Sequence, residues 1–389
     1  MYKIGTLNKI STIGLDGFSR DKYEVASDLS DPDAIVLRSF KMHDMQLGNN
    51  LKAIARAGAG TNNIPIEKCN EEGIVVFNTP GANANAVKEI VLAGLFLSSR
   101  DIAAGVAWTQ SIVDKGDEVP ALVEKNKSNF AGCEIKGKTL GVVGLGAIGA
   151  MVANAAVDLG MKVIGYDPYL SVEAAWELSS DVEKATGLET LLAQVDYLTI
   201  HVPLLDSTKG MFNAEKFAMS KDNIKIMNFA RGGLVDDDDV IEALKSGKVS
   251  SYVTDFPNAK LLGVAGVVPI PHLGASTSES EENCAVMAVE QTKDYLENGN
   301  IRNSVNFPTA VLPRRQNTNR LIVVNKNIPN MIGEISSLLA KENMNIFDLL
   351  NKSRGDIAYN IIDIDGDIAD STVSKLEDIE GVIRVRVLS

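Results

Sequence analysis

The chain of 389 residues is 45% hydrophobic and 23% charged, and its formal net charge is −13. A chain of this length is too long to fold around a single hydrophobic core, so we expect two or three domains. Proteins that bind nucleic acids or membrane surfaces usually present a basic face, so the negative net charge predicts neither as a partner. A few local arginines could still hold a small anionic ligand.

Cysteine usage and the N-terminal sequence predict a cytoplasmic protein without a metal site. Cys69, Cys133 and Cys284 are widely spaced and form no CxxC or Cys/His cluster, so we expect reduced thiols. The N-terminal sequence lacks the apolar region of a signal peptide, and no apolar run approaches the length of a membrane span.

The first part of the chain predicts a parallel sheet flanked by helices. Each of its short apolar runs is followed by turn signals or a helical stretch, an alternation typical of α/β folds. The predicted strands cover 3–7, 34–37, 53–56 and 75–77, and one long apolar helix is predicted over 85–104.

A glycine motif opens the second predicted α/β unit. Gly144, Gly146 and Gly149 form G-x-G-x-x-G between a predicted strand, 140–143, and a predicted helix, 147–159. In a dinucleotide-binding turn, these glycines permit the tight turn, the approach of a pyrophosphate and close packing of helix on strand. The phosphates then face the helix N-terminus. The alternative is a glycine-rich packing turn without a ligand.

Asp167 predicts which dinucleotide binds. It ends the next predicted strand, 162–166, ~20 residues after the glycine motif. Its carboxylate can accept hydrogen bonds from both ribose hydroxyls of an adenosine, and it would repel a 2'-phosphate. The sequence therefore predicts NAD rather than NADP.

The second unit continues through further short strands, predicted at 197–201, 224–229, 252–255 and 268–272, and then a helix at 278–297. Ligands bind at the carboxyl ends of such strands. The candidate ligand-binding residues at those ends are Pro203, Ala230, Arg231, Gly232 and Asp255.

The last part of the chain predicts a small separate domain. Residues 305–318 contain proline, asparagine and other polar residues and predict a linker. Beyond it, strands and helices follow in βαββαβ order, which is the ferredoxin-like arrangement. They are predicted at 320–325, 330–342, 346–352, 357–364, 369–378 and 382–388.

Two residues at strand ends suit hydride transfer between a nicotinamide and a 2-hydroxy acid. That reaction needs a cation for the carboxylate or carbonyl and a group that moves the hydroxyl proton. Arg231 can hold a carboxylate by two parallel bonds, and His272 can act as the acid or base. Alternatively, Arg231 forms surface ion pairs and His272 is structural. We expect His43 to be structural and His201 to line the cofactor pocket.

Six motifs resemble the D-isomer-specific 2-hydroxyacid dehydrogenases, and they cover nearly the whole chain before the linker. The resemblance extends to the members that act on a phosphorylated substrate and carry a C-terminal ACT regulatory domain. The motifs are Gly144-Leu-Gly-Ala-Ile-Gly149, Tyr166-Asp-Pro168, His201-Val-Pro-Leu-Leu205, Asn228-Phe-Ala-Arg-Gly-Gly-Leu-Val235, Asp255-Phe-Pro257 and Pro271-His-Leu-Gly-Ala-Ser276. The finer resemblance rests on Arg56-Ala-Gly-Ala-Gly-Thr-Asn-Asn63 and Val36-Leu-Arg-Ser39.

The resemblance implies a role for each matching residue. Arg231 would bind the carboxylate or carbonyl, and His272 would remove the C2 hydroxyl proton. The substrate carboxylate would lie on the backbone amides of Ala57, Gly58, Ala59 and Gly60, and the phosphate on Arg38, with Ser39 beside it, and Arg56. The NAD site would comprise Gly144, Gly146, Ala147, Ile148, Gly149, Asp167, His201, Val202, Pro203, Phe229, Ala230, Arg231, Asp255, His272, Gly274 and Ala275.

Lys260 departs from the family pattern. The family usually pairs its histidine with a glutamate five residues after the aspartate that Asp255 matches, and here that position is Lys260. Moreover, no glutamate occurs between Glu242 and Glu279. Either Lys260 acts in catalysis, as a donor or a substrate-binding cation, or the loop is rearranged and Lys260 is solvated.

Three asparagines of the C-terminal domain suggest an effector site. In serine-inhibited relatives, matching polar residues of the ACT domain hold the serine amino and carboxylate groups. Asn325, Asn327 and Asn345 match here, and amide side chains both donate and accept hydrogen bonds. The alternative is that the three residues cap turns at the surface.

These expectations combine into one prediction of fold and function. The chain would hold a substrate-binding domain (1–97 and 273–304), an NAD-binding Rossmann domain (98–272), a linker (305–318) and an ACT-like domain (319–389). The first two would be doubly wound parallel sheets.

The resemblance implies NAD-dependent oxidation of D-3-phosphoglycerate to 3-phosphohydroxypyruvate, with L-serine as an effector and assembly as a homodimer or homotetramer. The alternatives are a glyoxylate/hydroxypyruvate reductase and an NAD-sensing interaction protein with weak catalysis.

Overall fold

The computed structural model describes residues 1–388 and divides the chain into two units. Unit 1 comprises Met1–Asn83 and the chain from Glu281 onward, and unit 2 comprises Ala84–Ser280. The C-terminal domain is thus part of unit 1, and its last residue, Ser389, lies outside the described residues. Among the described residues, no single helix is long and apolar enough to cross a membrane, although one bent helix pair passes that test by length and composition.

Unit 1 begins with a five-stranded parallel sheet. Its strands are short and fully buried in the middle of the sheet, as expected for a sheet covered on both faces. Their order is β2-β1-β3-β4-β5. The elements are β1 (Tyr2–Leu7), α1 (Thr12–Leu15), β2 (Tyr23–Ala26), β3 (Ala34–Leu37), β4 (Ala53–Arg56), α2 (Ile66–Glu71) and β5 (Val75–Phe77).

Unit 2 is built on a seven-stranded parallel sheet in the order β12-β11-β10-β9-β6-β7-β8. Its first helices are α3 (Ala84–Ser99), α4 (Ile102–Ser111) and α5 (Val119–Asn126), with 3₁₀ turns at Val113–Glu118 and Lys127–Phe130. The sheet elements are β6 (Thr139–Val143), α6 (Ala147–Asp158), β7 (Lys162–Tyr166), α7 (Val172–Trp176), β8 (Val182–Lys184), α8 (Leu188–Leu192), β9 (Tyr197–Ile200), α9 (Ala214–Met219), β10 (Ile224–Asn228), α10 (Asp237–Lys245), β11 (Val249–Thr254) and β12 (Val267–Pro269).

The helix predicted over 85–104 is two helices, α3 and α4, which meet at an angle of 70°. The carbonyl of Ser99 accepts a hydrogen bond from the amide of Cys133, 2.9 Å away, so a returning segment takes the position of the next helical turn. The apolar face of α3 is buried with the seven-stranded sheet, including Val87, Val91 and Leu95. For that reason the units divide before α3 rather than after residue 97.

Helix α11 (Ser278–Asn298) leads back into unit 1 and to the C-terminal domain. That domain has the predicted βαββαβ order, and its antiparallel sheet has the order β14-β15-β13-β16. Its elements are β13 (Asn319–Lys326), α12 (Met331–Lys341), β14 (Ile346–Arg354), β15 (Ile357–Ile364), α13 (Asp370–Glu377) and β16 (Val382–Leu388).

The two faces of the C-terminal sheet bury different partners. One face, which includes Leu321 and Val323, packs on α12 and α13. The other face, which includes Ile322, Val324 and Tyr359, shares one hydrophobic cluster with the five-stranded sheet and α11. The C-terminal domain is therefore continuous with the core of unit 1.

The segment predicted as a linker, 305–318, is largely packed. Phe307 and Ala310 are buried in the shared cluster, and the ring of Phe307 meets that of Tyr359 edge-on at 6.0 Å. Composition predicts a linker, but the buried residues Asn306, Phe307, Pro308 and Ala310 anchor the first half of the segment.

Arg320 is the polar centre of this arrangement. Its guanidinium is fully buried and forms a bidentate pair with the buried carboxylate of Asp363, with both contacts at 2.7 Å. It also donates to the carbonyls of Asn298, Leu312 and Pro313 at 2.9–3.0 Å. One side chain thus joins β13, β15, the end of α11 and the segment before the C-terminal domain.

We expect Arg320→Ala to lower the free energy of unfolding by about 3–5 kcal/mol, because Asp363 would remain buried and charged without its partner. The double variant Arg320→Met with Asp363→Leu should recover much of this loss. Urea unfolding measures both.

Lys375→Ala is the matched control, because it removes an exposed pair with Glu342 of the same domain. It should change stability by less than about 1 kcal/mol. An Arg320→Ala protein as stable as this control would contradict the proposed role of the buried pair.

Candidate active site

The glycine turn between β6 and α6 has the geometry of a dinucleotide-binding turn. Gly144 has φ +89°, and a Cβ there would lie 2.8 Å from the backbone of His201. A Cβ at Gly149 would overlap the carbonyl oxygen of Gly144. By contrast, the space in front of Gly146 is open. The first and third glycines therefore allow close packing, and the second leaves room for a ligand at the start of α6.

Asp167 lies beside this turn, immediately after β7. Its carboxylate accepts hydrogen bonds from the amide of Leu145 at 2.9 Å and from the amide of Tyr169 at 2.8 Å. These two bonds fix the orientation of the carboxylate. Ala147 and Ile148 form the first turn of α6, and Ala147 is exposed.

His201 closes the turn from the end of β9. Its amide donates to the carbonyl of Val143 at 2.7 Å, and its Nε2 lies 2.9 Å from the hydroxyl of Thr199. Burial lowers the pKa of His201 to about 4, which keeps the imidazole neutral. Val202 and Pro203 follow it, and the side chain of Val202 lies against Gly144.

Arg231 lies on a loop that Asn228 holds in place. Asn228 is fully buried and donates from Nδ2 to the carbonyl of Arg231 at 2.9 Å. Its Oδ1 accepts from the amide of Ala230 at 3.2 Å. The guanidinium of Arg231 is exposed and donates to the carbonyl of Ala230. Phe229, predicted to line NAD, is buried with its ring against Gly94.

Asp255 and His272 form the second half of the unit 2 site. Asp255 is 1% exposed; its Oδ2 accepts from the amide of Gly274 at 3.3 Å, while its Oδ1 has no partner among the described residues. Burial raises the pKa of Asp255, and the charges of His272 and Arg231 oppose this rise. The three groups therefore lie within electrostatic reach of one another. His272 is exposed, and its ring lies 4.6 Å from that of Phe256.

Lys260 is engaged elsewhere. Its ammonium contacts both carboxylate oxygens of Asp238, at 2.7 and 2.9 Å, and the pair is exposed. This hydrogen bond, followed by the charge of Asp238, raises the pKa of Lys260. Of the two alternatives for Lys260, the structure thus favours a solvated loop residue, because the acidic first turn of α10 attracts its ammonium.

The predicted substrate loop, 57–60, lies in unit 1 after β4. Two of its four amides are already bonded: Ala57 donates to the carbonyl of Leu37 at 2.8 Å, and Gly58 donates to the hydroxyl of Thr79 at 2.7 Å. The carbonyl of Ala59 accepts from Nδ2 of Asn78 at 2.7 Å. Within residues 1–388, the amides of Ala59 and Gly60 have no intramolecular acceptor, so these two are the candidates for an anion.

Two arginines flank this loop. Arg56 donates from Nε to the carbonyl of Arg38 at 3.0 Å, and its Nη1 lies close to Gly58, where a Cβ would be 2.6 Å away. Gly58 has φ +146° and cannot be replaced without strain. The guanidinium of Arg38 pairs with Glu281 at 2.5 Å, half-exposed. Ser39 donates its amide to Asn8 at 3.0 Å.

The structure adds contacts of several residues to which no role was assigned from the sequence. Asn63 donates to the carbonyls of Arg38 and Phe40, and Asn228, Phe256, Asn78 and Thr79 have the contacts given above. Asn228 and Phe256 each lie within three residues of a predicted site residue, and this proximity was the sequence signal that could have identified them. Nothing in the local sequence marked Thr79, which is bonded to a residue 21 positions away.

The effector residues predicted in the C-terminal domain are separated. Asn325 is buried, and its amide oxygen accepts from Nδ2 of Asn360 at 2.7 Å while its Nδ2 donates to the carbonyl of Lys326. Asn327 and Asn345 are exposed, and Asn327 donates to the carbonyl of Gly355 at 3.0 Å. Only the last two present their side chains at the surface.

The residues of unit 2 fit NAD. The open space at Gly146 suits a pyrophosphate. The oriented carboxylate of Asp167 suits the ribose of an adenosine, and the unpartnered buried oxygen of Asp255 suits a carboxamide. The fold and this site define a dinucleotide-binding oxidoreductase of the α/β class.

Comparisons with known proteins agree. Residues 100–274 match the model of the D-isomer specific 2-hydroxyacid dehydrogenase family, NAD binding domain. The chain is 30% identical over 401 residues to D-3-phosphoglycerate dehydrogenase of Haemophilus influenzae, covering 99% of this chain and 94% of that protein. It is 38% identical over 283 residues to hydroxypyruvate reductase of Thermotoga maritima, covering 70% and 87%.

Among solved structures, NAD⁺-bound 3-phosphoglycerate dehydrogenase of Entamoeba histolytica aligns with a TM-score of 0.60 and 27% identity, covering 78% of this chain and 98% of that one. The chain spans 54% of the length of D-3-phosphoglycerate dehydrogenase of Methanocaldococcus jannaschii, to which it is 35% identical. The chain belongs to the D-isomer specific 2-hydroxyacid dehydrogenase family and is an NAD-dependent dehydrogenase.

We expect Asp167→Asn to reduce the preference for NAD over NADP by about ten- to a hundredfold in kcat/KM. The single oxygen of asparagine can keep the bond from Leu145 while the bond from Tyr169 is lost, and the neutral amide no longer repels a 2'-phosphate. A charge-assisted contact is worth about 1.5–3 kcal/mol. Steady-state kinetics with both cofactors measure the ratio. Asp158→Asn, an exposed residue at the end of α6, is the control, and an unchanged ratio in both variants would refute the role of Asp167.

Asp255→Asn should stabilise the protein at neutral pH while lowering its activity. Because the folded-state pKa lies above the ordinary value of 3.8, folding is opposed once the carboxyl ionises, and stability falls as pH rises from 3.8 through the raised pKa. The variant should therefore have the higher melting temperature at pH 7, with the difference shrinking towards pH 3.8. Asp206→Asn, an exposed control, should show no such trend. A lower melting temperature for Asp255→Asn at pH 7 would contradict this account.

Proposed function

We propose that this enzyme oxidises D-3-phosphoglycerate to 3-phosphohydroxypyruvate, the first step of L-serine biosynthesis. The observation that carries the proposal is the similarity to D-3-phosphoglycerate dehydrogenase of Haemophilus influenzae along 99% of the chain. It is supported by Arg38 and the two available amides of Ala59 and Gly60, which together suit a substrate with a phosphate and a carboxylate.

In unit 2, the residues divide the chemistry among them. NAD, when bound, accepts the hydride from C2 of the substrate. The imidazole of His272 takes the proton of the C2 hydroxyl, for which it must be neutral, and the exposed guanidinium of Arg231 holds the carboxylate or the forming carbonyl. Asp255 would receive the cofactor carboxamide on its orphaned oxygen. Lys260 has no part in this scheme, because it is paired with Asp238.

In unit 1, Glu281 sets the conditions for phosphate binding. Its carboxylate already neutralises the guanidinium of Arg38. A phosphate that binds Arg38 must therefore share or displace Glu281. Phosphate affinity then depends on the balance between two anions at one arginine, and substitutions at the two positions should act in opposite directions.

A reductase of hydroxypyruvate is the second candidate. It is favoured by the 38% identity to hydroxypyruvate reductase of Thermotoga maritima, which exceeds the identity to the Haemophilus protein but covers only 70% of this chain. Such an enzyme would have no need for a phosphate-binding arginine, so Arg38 separates the two candidates.

NADH formation with D-3-phosphoglycerate and with D-glycerate tests the proposed function. We expect Arg38→Ala to raise the KM for D-3-phosphoglycerate by about ten- to a hundredfold, from the loss of a charge-assisted contact. The KM for D-glycerate should hardly change. Glu281→Gln should lower the KM for the phosphorylated substrate alone. Equal effects of Arg38→Ala on both substrates, or a wild-type preference for D-glycerate, would favour the second candidate.

We further propose that the βαββαβ domain is an ACT-like regulatory domain and that L-serine is its effector, with Asn327 and Asn345 as the candidate amides. The βαββαβ order and the exposure of these two residues support the proposal. Calorimetry at millimolar serine would test it, since the absence of binding heat would remove L-serine as a ligand.

We also propose that the enzyme is cytoplasmic and assembles as a homodimer or homotetramer. Residues 102–130, which form α4, α5 and the 3₁₀ turns around them, contain no buried residue, and they expose the apolar side chains of Ile102, Val106 and Val113. An exposed apolar helical segment is typical of a surface that a second subunit covers.

A further inference from the structure

We propose that Arg354 of the C-terminal domain is a positioning residue for the substrate loop, 57–60, and acts on it through strand β5. The proposal rests on the function proposed above, since it concerns the binding of that substrate. All of the contacts that carry it lie within unit 1.

The first contacts join the C-terminal domain to the segment before it. Arg354, the last residue of β14, donates from Nη1 to the carbonyl of Ser304 at 2.9 Å, with a longer contact of 3.5 Å to the carbonyl of Phe307. Phe307 itself packs on Tyr359 of β15. The C-terminal domain thus contacts residues 304–307 both at their backbone carbonyls and at the side chain of Phe307.

Residues 303–306 in turn extend the five-stranded sheet beyond β5. The amide of Val305 and the hydroxyl of Ser304 both donate to the carbonyl of Val76, at 2.9 and 3.1 Å. The amide of Val76 donates to Oδ1 of the buried Asn306 at 2.8 Å, and Ser304 forms an antiparallel bridge with Phe77. This segment therefore fixes β5 from its outer edge.

The residues directly after β5 hold the substrate loop. Asn78 donates from Nδ2 to the carbonyl of Ala59, and Thr79 accepts from the amide of Gly58 and donates its own amide to the carbonyl of Gly58 at 3.1 Å. These bonds leave the amides of Ala59 and Gly60 for an anion. A shift of β5 would turn those two amides, because the loop has bonds to both of the residues that follow the strand.

A second set of contacts reaches β5 from the C-terminal domain independently. The guanidinium of Arg386 in β16 lies over the ring of Tyr295, 4.6 Å from its centroid, and donates to the carbonyl of Leu296 at 3.1 Å. The ring of Tyr295 meets Phe77 of β5 edge-on at 5.7 Å. Strands β14 and β16 of the C-terminal domain are thus each connected to β5 by a chain of contacts.

These contacts give the C-terminal domain a means to change substrate affinity without touching the cofactor site. Removing a residue from such a network can change the coupling between two sites by about two- to thirtyfold. A change at Arg354 should therefore alter the KM for the substrate while the KM for NAD, which binds residues of unit 2, stays constant.

The test compares Arg354→Ala, Arg354→Lys and Arg315→Ala in the full-length enzyme. Arg315 is the matched control, since it pairs with Asp348 of β14 and lies over the ring of Phe347, and its contacts within residues 1–388 do not include residues 304–307. Arg354→Ala should raise the KM for D-3-phosphoglycerate by about two- to thirtyfold with a constant KM for NAD. Arg354→Lys, which can still donate to Ser304, should restore most of the affinity, and Arg315→Ala should match the wild type.

A double-variant cycle identifies the route. Thr79→Val removes the acceptor for Gly58, and combining it with Arg354→Ala should raise KM by less than the product of the two single effects, because both act on one loop. If the two effects multiply, or if Arg315→Ala raises KM as much as Arg354→Ala does, the proposal is wrong.

Hydrogen–deuterium exchange of the unliganded protein separates this proposal from the proposed function. Arg354→Ala should speed exchange of the amides of Ala57 and Gly58, the two hydrogen-bonded amides of the loop, at an unchanged melting temperature, whatever substrate the enzyme uses. Faster exchange in an enzyme inactive on D-3-phosphoglycerate would support the coupling and reject the substrate. Unchanged exchange in an active enzyme would reject the coupling alone.

Discussion

The site in unit 2 depends on one steric constraint, the absence of side chains at the turn between β6 and α6. Gly149 must lie against the carbonyl of Gly144, and Gly144 must lie against the backbone of His201. This close approach brings β6, β7 and β9 together with the start of α6, so that Asp167 can bond to the amide of Leu145. A methyl group at either glycine would push these segments apart and move Asp167 away from the glycine turn.

Much of the fold could be predicted because its strands are short, apolar and bounded by turn signals. Strands β3, β4, β5 and β7 have the predicted bounds, and the βαββαβ order of the C-terminal domain was predicted element by element. The bend between α3 and α4 could not be predicted, because the carbonyl of Ser99 at the bend is bonded to Cys133, which is distant in sequence. The packing of residues 305–318 was missed for a similar reason: burial of Phe307 depends on Tyr359.

The positions of the candidate site residues were predictable at strand ends, where Asp167, Arg231 and Asp255 follow β7, β10 and β11. They were less predictable where a charged side chain has a choice of partners. Lys260 was considered as a neighbour of His272 and is paired with Asp238, and Arg38 has Glu281 beside it. Asn325 was predicted as a residue of the effector site and is buried against Asn360. In each case the partner belongs to another element, so spacing along the chain gave no information about it.

If the chain is the dehydrogenase proposed above, a hydride moves from C2 of D-3-phosphoglycerate to NAD. D-3-Phosphoglycerate deuterated at C2 reveals this transfer, with the reduced cofactor analysed by mass spectrometry and NMR. We expect one deuterium per reduced cofactor, on a single face of the nicotinamide ring, and no transfer from the L-isomer. Reduced cofactor without deuterium, or equal transfer from both isomers, would contradict it.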